Sequence, residues 1–319
     1  MKIFVTGCAG FIGYHLCENL LKSNFKVYAI DNLNNYYDPQ LKKDRLKNLK
    51  KNKNFFFYKC DLLNQSKIQN IILLQKIKFI VNLAAQAGVR HSIKNPKTYL
   101  DSNIIGFFNI LEISRKNKIK HLVFASTSSV YGRRNTFPLN EKFNTDKPLS
   151  FYAATKKSNE LMAYSYANIY KLPCTALRFF TVYGPYGRPD MSLFKFTKAM
   201  LEKKKIELFN KGHHERDFTY VEDIVKGIML LIQKPPSESI PYKCFNIGNG
   251  SSKKLLSFLK VIEDYLKIKA KIDFLPLQAG DVIKTHADIN SLNKYTGYKP
   301  KINVKIGVKN FLDWYKKYI

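Results

Sequence analysis

The sequence predicts an α/β fold, a doubly wound parallel sheet with a smaller C-terminal lobe. Two observations carry this. Short β-branched or aromatic runs alternate with amphipathic stretches through the first half, and the first of these runs leads directly into a glycine-rich turn. Lys2 to Thr6, Lys26 to Ile30, Phe55 to Lys59, Phe79 to Leu83, His121 to Ala125 and Pro173 to Phe179 read as buried strands. Phe11 to Leu21 and Tyr99 to Lys116 read as helices between them, so the units are βαβ and the strands parallel. After Thr181 the rhythm is less regular. Gly184-Pro185-Tyr186-Gly187-Arg188-Pro189 is followed by a helical Leu193 to Lys203, a loop through Gly212 and a break at Pro235-Pro236. Residues 1–180 are expected to form the sheet domain. Residues 181–319 are expected to form mainly the lobe over the sheet's carboxyl edge, with some chain crossing back. Ligands on such sheets bind at the carboxyl ends of the strands.

At 319 residues the chain can bury a core without staples. Its apolar stretches, such as Ile68 to Leu74, fall well short of the roughly 20 residues that span a bilayer. Glycines at 7, 10 and 13 interrupt any signal-like apolar region after Lys2, so a cytoplasmic protein without membrane contact is expected. The five cysteines form no Cys-x-x-Cys pair, which suggests neither a disulfide framework nor a metal site. The net charge of +30 points towards nucleic acid only at first sight, because the lysines are scattered along the whole chain beside many asparagines. A binding stripe would be clustered and interleaved with aromatics. No nucleic-acid partner is expected, although the charge can steer an anionic substrate.

Gly7-Cys8-Ala9-Gly10-Phe11-Ile12-Gly13 follows the first strand and opens a helix. Glycines there permit a tight turn and close approach of backbone to a pyrophosphate, and the helix N-terminus offers unpaired N–H groups. The Rossmann-type reading gains strength from Asp31 and Asn32 after the second strand. A carboxylate at that point accepts from an adenosine ribose and repels a 2′-phosphate, which favours NAD over NADP. Asp61, with Leu62 beside it, follows the third strand as a candidate adenine contact, although an isolated Asp is also a common turn former.

Tyr152-Ala153-Ala154-Thr155-Lys156 places a phenol and an ammonium four residues apart, on one helix face. Tyrosine, with a pKa of about 10, becomes a usable base at neutral pH only if neighbouring positive charge favours the phenolate. Such a spacing is common by chance on solvated helices. Here the hydroxyl-rich run Ser126-Thr127-Ser128-Ser129 lies about 25 residues earlier and can supply a second hydrogen bond to a reacting alcohol.

Taken with Asn32-Leu33-Asn34-Asn35-Tyr36-Tyr37-Asp38-Pro39, Leu83-Ala84-Ala85-Gln86-Ala87-Gly88-Val89-Arg90, Thr127-Ser128-Ser129-Val130-Tyr131-Gly132, Arg178-Phe179-Phe180-Thr181-Val182-Tyr183-Gly184-Pro185, Gly187-Arg188-Pro189-Asp190-Met191 and Arg216-Asp217-Phe218-Thr219-Tyr220, these motifs run through nearly the whole chain. The chain resembles the extended short-chain dehydrogenase/reductase family and, within it, the UDP-glucuronate 4-epimerases. The resemblance implies an NAD-dependent enzyme in which Tyr152 is the catalytic base, Lys156 its electrostatic partner and nicotinamide-ribose ligand, and Thr127 the position of a catalytic Ser or Thr. It implies that Leu83, Ala84 and Ala85 line the cofactor, that Asn103 stands near it, and that Arg90, Arg216 and Asp281 contact the UDP-sugar. Thr181 stands where galactose-type relatives carry Asn, and Gln278 where they carry Arg. Both departures argue for a uronate, whose carboxylate Thr181, Arg188, Ser128 and Ser129 could hold. Relatives dimerise by pairing the helices that match Tyr99 to Lys116 and Phe151 to Tyr170, so a homodimer is implied. A UDP-glucuronate decarboxylase or another hexose epimerase or dehydratase of the same family remains open, as does a non-catalytic sensor. A dehydratase would be expected to carry acidic residues where this chain has Ser128 and Ser129.

Overall fold

The computed structural model describes residues 1–278 and 280–319. Among them the strands, in chain order, are β1 (Lys2–Thr6), β2 (Lys26–Asp31), β3 (Phe55–Lys59), β4 (Phe79–Asn82), β5 (His121–Thr127), β6 (Cys174–Phe179), β7 (Thr181–Tyr183), β8 (Lys205–Phe209), β9 (Glu215–Tyr220), β10 (Tyr242–Ile247), β11 (Ser252–Lys254) and β12 (Lys271–Leu275). The helices are α1 (Phe11–Lys22), α2 (Pro39–Leu49), α3 (Gln65–Leu74), α4 (Val89–Lys94), α5 (Pro96–Tyr99), α6 (Gly106–Lys116), α7 (Phe151–Tyr170), α8 (Ser192–Leu201), α9 (Val221–Ile232), α10 (Leu255–Leu266), α11 (Asn290–Thr296) and α12 (Val304–Tyr318).

Seven strands form one parallel sheet in the order β10-β6-β5-β4-β1-β2-β3. Successive side chains of a strand point to opposite faces, and the core divides accordingly. Ile3 and Val5 of β1 pack with Leu16 and Leu20 of α1 and with Ile224 and Ile228 of α9. Phe4, between them, packs on the other face with Ile68 and Ile72 of α3, Ile110 of α6 and Ala163 of α7. The doubly wound sheet expected from the sequence is present, with β10 added from the second half of the chain. That strand carries Lys243, Cys244 and Asn246 among its six residues, too few apolar positions to read as buried.

A second core holds the remaining elements. Phe194 of α8, Phe258 of α10 and Phe311 of α12 belong to it, and Phe218 of β9 stacks on Phe258 at 4.0 Å. Small sheets β11-β9-β7 and β12-β8 complete this part. The loop after β7 is docked back on α1. The Pro185 carbonyl accepts from His15 Nε2 at 2.8 Å, and the Tyr186 ring lies 4.8 Å from that of Tyr14. Burial pushes His15 down to about 4, so its ring is neutral.

The sequence predicts one helix over Tyr99 to Lys116. The structure keeps the backbone helical there but widens it into a π turn at Leu100–Ile105, between α5 and α6. Such bulges recur at functional sites. Among the described residues no helix is long and apolar enough to cross a membrane, and no cluster of His, Cys, Asp or Glu could hold a metal ion.

Candidate active site

A cleft lies along the carboxyl edge of the sheet, where the glycine turn is its floor. Gly7 has φ +74°, and a Cβ on it would come within 2.8 Å of the Ala84 nitrogen. A Cβ on Gly13 would sit 2.0 Å from the Gly7 carbonyl oxygen, so α1 starts directly against the turn. Gly10 caps α1 without a side-chain hydrogen bond, which leaves the first-turn N–H groups of a twelve-residue helix open to an anion. The turn therefore fits a dinucleotide diphosphate. Gly7, Gly10, Phe11, Ile12 and Gly13 all line the cleft.

One end of the cleft is built by Asp31, Asn32, Asp61 and Leu62. Asp31 accepts from Ala9 N–H at 3.1 Å and from Leu33 N–H at 2.8 Å. Those bonds aim a fixed negative charge across the mouth of the turn. Asp61 accepts from Asn32 Nδ2 at 2.6 Å and from Leu63 N–H at 2.9 Å. Leu83, Ala84 and Ala85 form the middle wall.

The other end gathers Thr127 at the tip of β5, Tyr152 and Lys156 on α7, and Arg188 from the loop docked on α1. Ser150 caps α7 by accepting from Ala153 N–H, which fixes where that helix begins and hence where Tyr152 and Lys156 point. Burial holds Tyr152 above the ordinary phenol range, against the opposing pull of a hydrogen bond with Thr127 and the charge of Arg188. The sequence reading has Lys156 favouring the phenolate. Here burial is the larger effect, and it also pushes Lys156 itself down to about 8, with Glu160 opposing.

Ser128 and Ser129 form the short 3₁₀ turn after β5, where Ser129 N–H donates to Thr127 Oγ1 at 3.2 Å. Thr181 lines a small pocket that adjoins the main cleft and shares Phe11, Val182, Arg188 and Met191 with it. Arg188 donates to Asp190 from Nε at 3.0 Å and also from Nη2, and Tyr36 donates to the same carboxylate at 3.1 Å. Burial opposes the charge on Arg188, but Asp190 outweighs it and raises the guanidinium further.

Three groups of the expected site residues lie outside the cleft: Asn103, the set Arg90, Arg216 and Asp281, and the pair Ser128 and Ser129. Asn103 does not line the cleft. Its side chain is 1 % exposed and occupied by Gln86 N–H at 2.8 Å, the Gln86 carbonyl at 3.0 Å and Thr155 Oγ1 at 3.0 Å. It holds Gln86, which lines the cleft, from within the π turn. Arg90, Arg216 and Asp281 form a separate cluster that does not line the cofactor cleft. Arg90 pairs with Asp281 at 2.9 Å and lies 4.4 Å over the Phe209 ring, while Arg216 donates to the Glu215 and Ile283 carbonyls at 3.0 and 2.9 Å. Burial and the neighbouring Arg90 hold Arg216 below the usual guanidinium range, against the pull of Asp281.

Ser126, from the hydroxyl-rich run, and Tyr36, Gln86 and Met191, from the motifs of the family resemblance, also line the cleft, as do Ser102 and Lys42, which the sequence does not single out. Lys42 donates to both the backbone and side-chain oxygens of Asn34 at 2.7 Å. Glu160 sits one helical turn beyond Lys156, a spacing that was readable but looks like an ordinary solvated pair.

The family comparison falls where this geometry points. Residues 3–248 match the model of the NAD dependent epimerase/dehydratase family, and the chain belongs to that family. It is 48% identical to Protein CapI of Staphylococcus aureus, covering 100% of this chain and 99% of that protein. It is 42% identical to the UDP-glucuronate 4-epimerase of Thermodesulfobacterium geofontis, over 99% and 96% of the two chains. Among solved structures, UDP-glucuronic acid 4-epimerase from Bacillus cereus, in complex with UDP-glucuronic acid and NAD, superposes with a TM-score of 0.93 at 35% identity, covering 100% of both chains.

Proposed function

We propose that this chain is an NAD-dependent 4-epimerase interconverting UDP-glucuronate and UDP-galacturonate through a 4-keto sugar. The observation that carries the reading is the meeting of Thr127, Tyr152, Lys156 and Arg188 at one end of a cleft whose floor is the glycine turn. Whole-length relatives with UDP-glucuronate 4-epimerase activity in their names support the substrate.

Gly7, Gly10, Phe11, Ile12 and Gly13 would hold the NAD diphosphate, Asp31 and Asn32 its adenosine ribose, Asp61 and Leu62 its adenine, and Lys156 its nicotinamide ribose. When bound, NAD would supply the two-electron acceptor and donor needed at carbon 4 of the sugar. Tyr152 Oη takes the proton of the 4-hydroxyl and gives it back when the ketone is reduced. Thr127 Oγ1 holds the same oxygen in line. Lys156, as a cation, favours the phenolate that burial alone disfavours. Arg90 and Arg216, which lie outside the cofactor cleft, would meet the diphosphate of the sugar nucleotide, with Asp281 fixing Arg90. Residues 1–180 hold the cofactor, and 181–319 hold mainly the sugar nucleotide.

Oxidation at carbon 4 of a uronate makes a β-keto acid, which loses carbon dioxide if its carboxylate aligns with the ketone. Thr181, Ser128, Ser129 and Arg188 restrain that carboxylate. Incubating the protein with UDP-glucuronate and resolving the products tests the reading. UDP-galacturonate as the main product is expected. UDP-pentose as the main product would make the enzyme a decarboxylase, and binding without conversion would make it a sensor.

The chain is also expected to be a homodimer. Ile105 and Phe108 near α6 and Leu161, Tyr164 and Ile169 of α7 are large apolar side chains left exposed on the two matching helices, as a four-helix seam requires. Light scattering at micromolar concentration should give a dimer mass, and a monomer would contradict it.

A further inference from the structure

Arg45 of α2 is among the largest fully buried side chains, at 0 % exposure. Among the described residues no carboxylate lies within ion-pair distance of it. A buried charge is costly unless it is paired. The guanidinium is met only by neutral groups. Nη1 donates to the Ala9 carbonyl and to Tyr37 Oη, each at 2.7 Å, and Nη2 donates to the Tyr186 carbonyl at 2.6 Å. Nε is buried with no hydrogen-bond partner. Its position explains the arrangement. Ala9 lies in the glycine turn, between Gly7 and Gly10, and Tyr186 lies in the loop that carries Arg188.

We propose that Arg45 is a positioning residue whose buried charge stands behind the glycine turn, so that the dinucleotide's diphosphate is the anion that compensates it. The same fork clamps the Arg188 loop to the turn. This rests on the dinucleotide reading above. A positive charge in a low-dielectric interior acts on a nearby anion with little screening, so its effect falls on the phosphates and spares the nucleoside. Lysine carries the charge but not the planar fork that reaches two separate backbone segments at once.

The test is equilibrium titration of dinucleotide-free protein with NAD⁺, ADP and adenosine, for the wild type and for Arg45→Met, Arg45→Gln and Arg45→Lys. Arg45→Met is expected to weaken NAD⁺ and ADP roughly tenfold while leaving adenosine within about twofold, the scale of one lost charge interaction. Arg45→Lys should keep a larger share of the ADP-over-adenosine preference than either neutral variant. If Arg45→Met does not fold, Arg45→Gln, which still donates to one carbonyl, gives the same reading. Neutral variants that bind ADP as the wild type does, or that lose adenosine in step with ADP, would overturn the proposal and make Arg45 a packing residue. A wild type that binds adenosine but neither ADP nor NAD⁺ would instead end the dinucleotide reading itself.

Discussion

Glu160 and Arg178 form a two-point ion pair at 2.8 and 2.9 Å, both side chains 5% exposed, one helical turn beyond Lys156. Ser126 Oγ donates to the same carboxylate at 2.5 Å and also lines the cleft. The pair thus ties α7, which carries Lys156, to β6, and the Glu160 charge opposes the effect of burial on Lys156. Glu160→Gln strands Arg178 as an unpaired charge in the core, so unfolding free energy should fall by about 3 kcal/mol. Denaturant titration reads this, and a loss below about 1 kcal/mol would contradict it.

Lys156 makes stability depend on pH in a definite direction. Its folded value of about 8 lies below the ordinary 10.5. Between those values the unfolded chain binds a proton that the folded chain does not, so the folded state gains as pH rises through that window. The penalty is fully present below pH 8 and relieved above 10.5. Wild type measured against Lys156→Met should therefore gain a few kcal/mol from pH 7.5 to 10.5. An unchanged difference would mean that Lys156 titrates normally.

Tyr152→Phe removes the phenol oxygen proposed to exchange the proton and little else, since the ring stays packed at 6.0 Å from Tyr99. Turnover should fall by at least about a hundredfold while NAD⁺ binding stays within a few-fold. Activity close to wild type would remove Tyr152 from the proton-transfer role.

Asp31 supplies a structural basis for the expected preference for NAD over NADP. Two backbone N–H bonds hold its carboxylate at the cleft, where it would repel a 2′-phosphate. NAD⁺ should bind at least about tenfold more tightly than NADP⁺, and Asp31→Asn should narrow the gap from the NADP⁺ side. Lys42, also in the cleft, works in the opposite direction, but its ammonium is already occupied by Asn34. Equal affinities in titration would show that Lys42 compensates for Asp31.

Local signals explain which parts were legible. β1 to β6 are short apolar runs, and the glycine turn and the Tyr152 to Lys156 spacing are fixed by neighbours in sequence. β10, by contrast, is a half-polar segment that becomes a strand only because β6 offers it a parallel edge. Glu160 and Arg178 look like surface residues in the sequence, because burial of a polar group depends on its partner, here 18 residues away along the chain. Arg45 escaped for the same reason. Its partners at Ala9 and Tyr186 lie 36 and 141 residues distant.

Arg188 already has a carboxylate partner in the fold. On sequence grounds its guanidinium holds the substrate carboxylate. In the fold, two of its nitrogens already serve Asp190, so a carboxylate competes with an existing ion pair and meets a partly neutralised charge. Arg188→Ala should then weaken UDP-glucuronate by roughly tenfold and leave UDP-glucose nearly unchanged. Removing the arginine does not strand Asp190, whose side chain is 29% exposed and can be hydrated. Asp190→Asn should act in the opposite sense, because it frees the guanidinium. UDP-glucuronate should bind a few-fold more tightly, and less UDP-pentose should form per epimer, since a better-held carboxylate is kept out of alignment with the ketone. Affinities for both sugar nucleotides and the pentose-to-epimer ratio, measured in the two variants, separate the cases. Equal losses for both ligands in Arg188→Ala, with Asp190→Asn leaving the ratio unchanged, would make the pair a brace for the loop and leave the carboxylate to Thr181, Ser128 and Ser129.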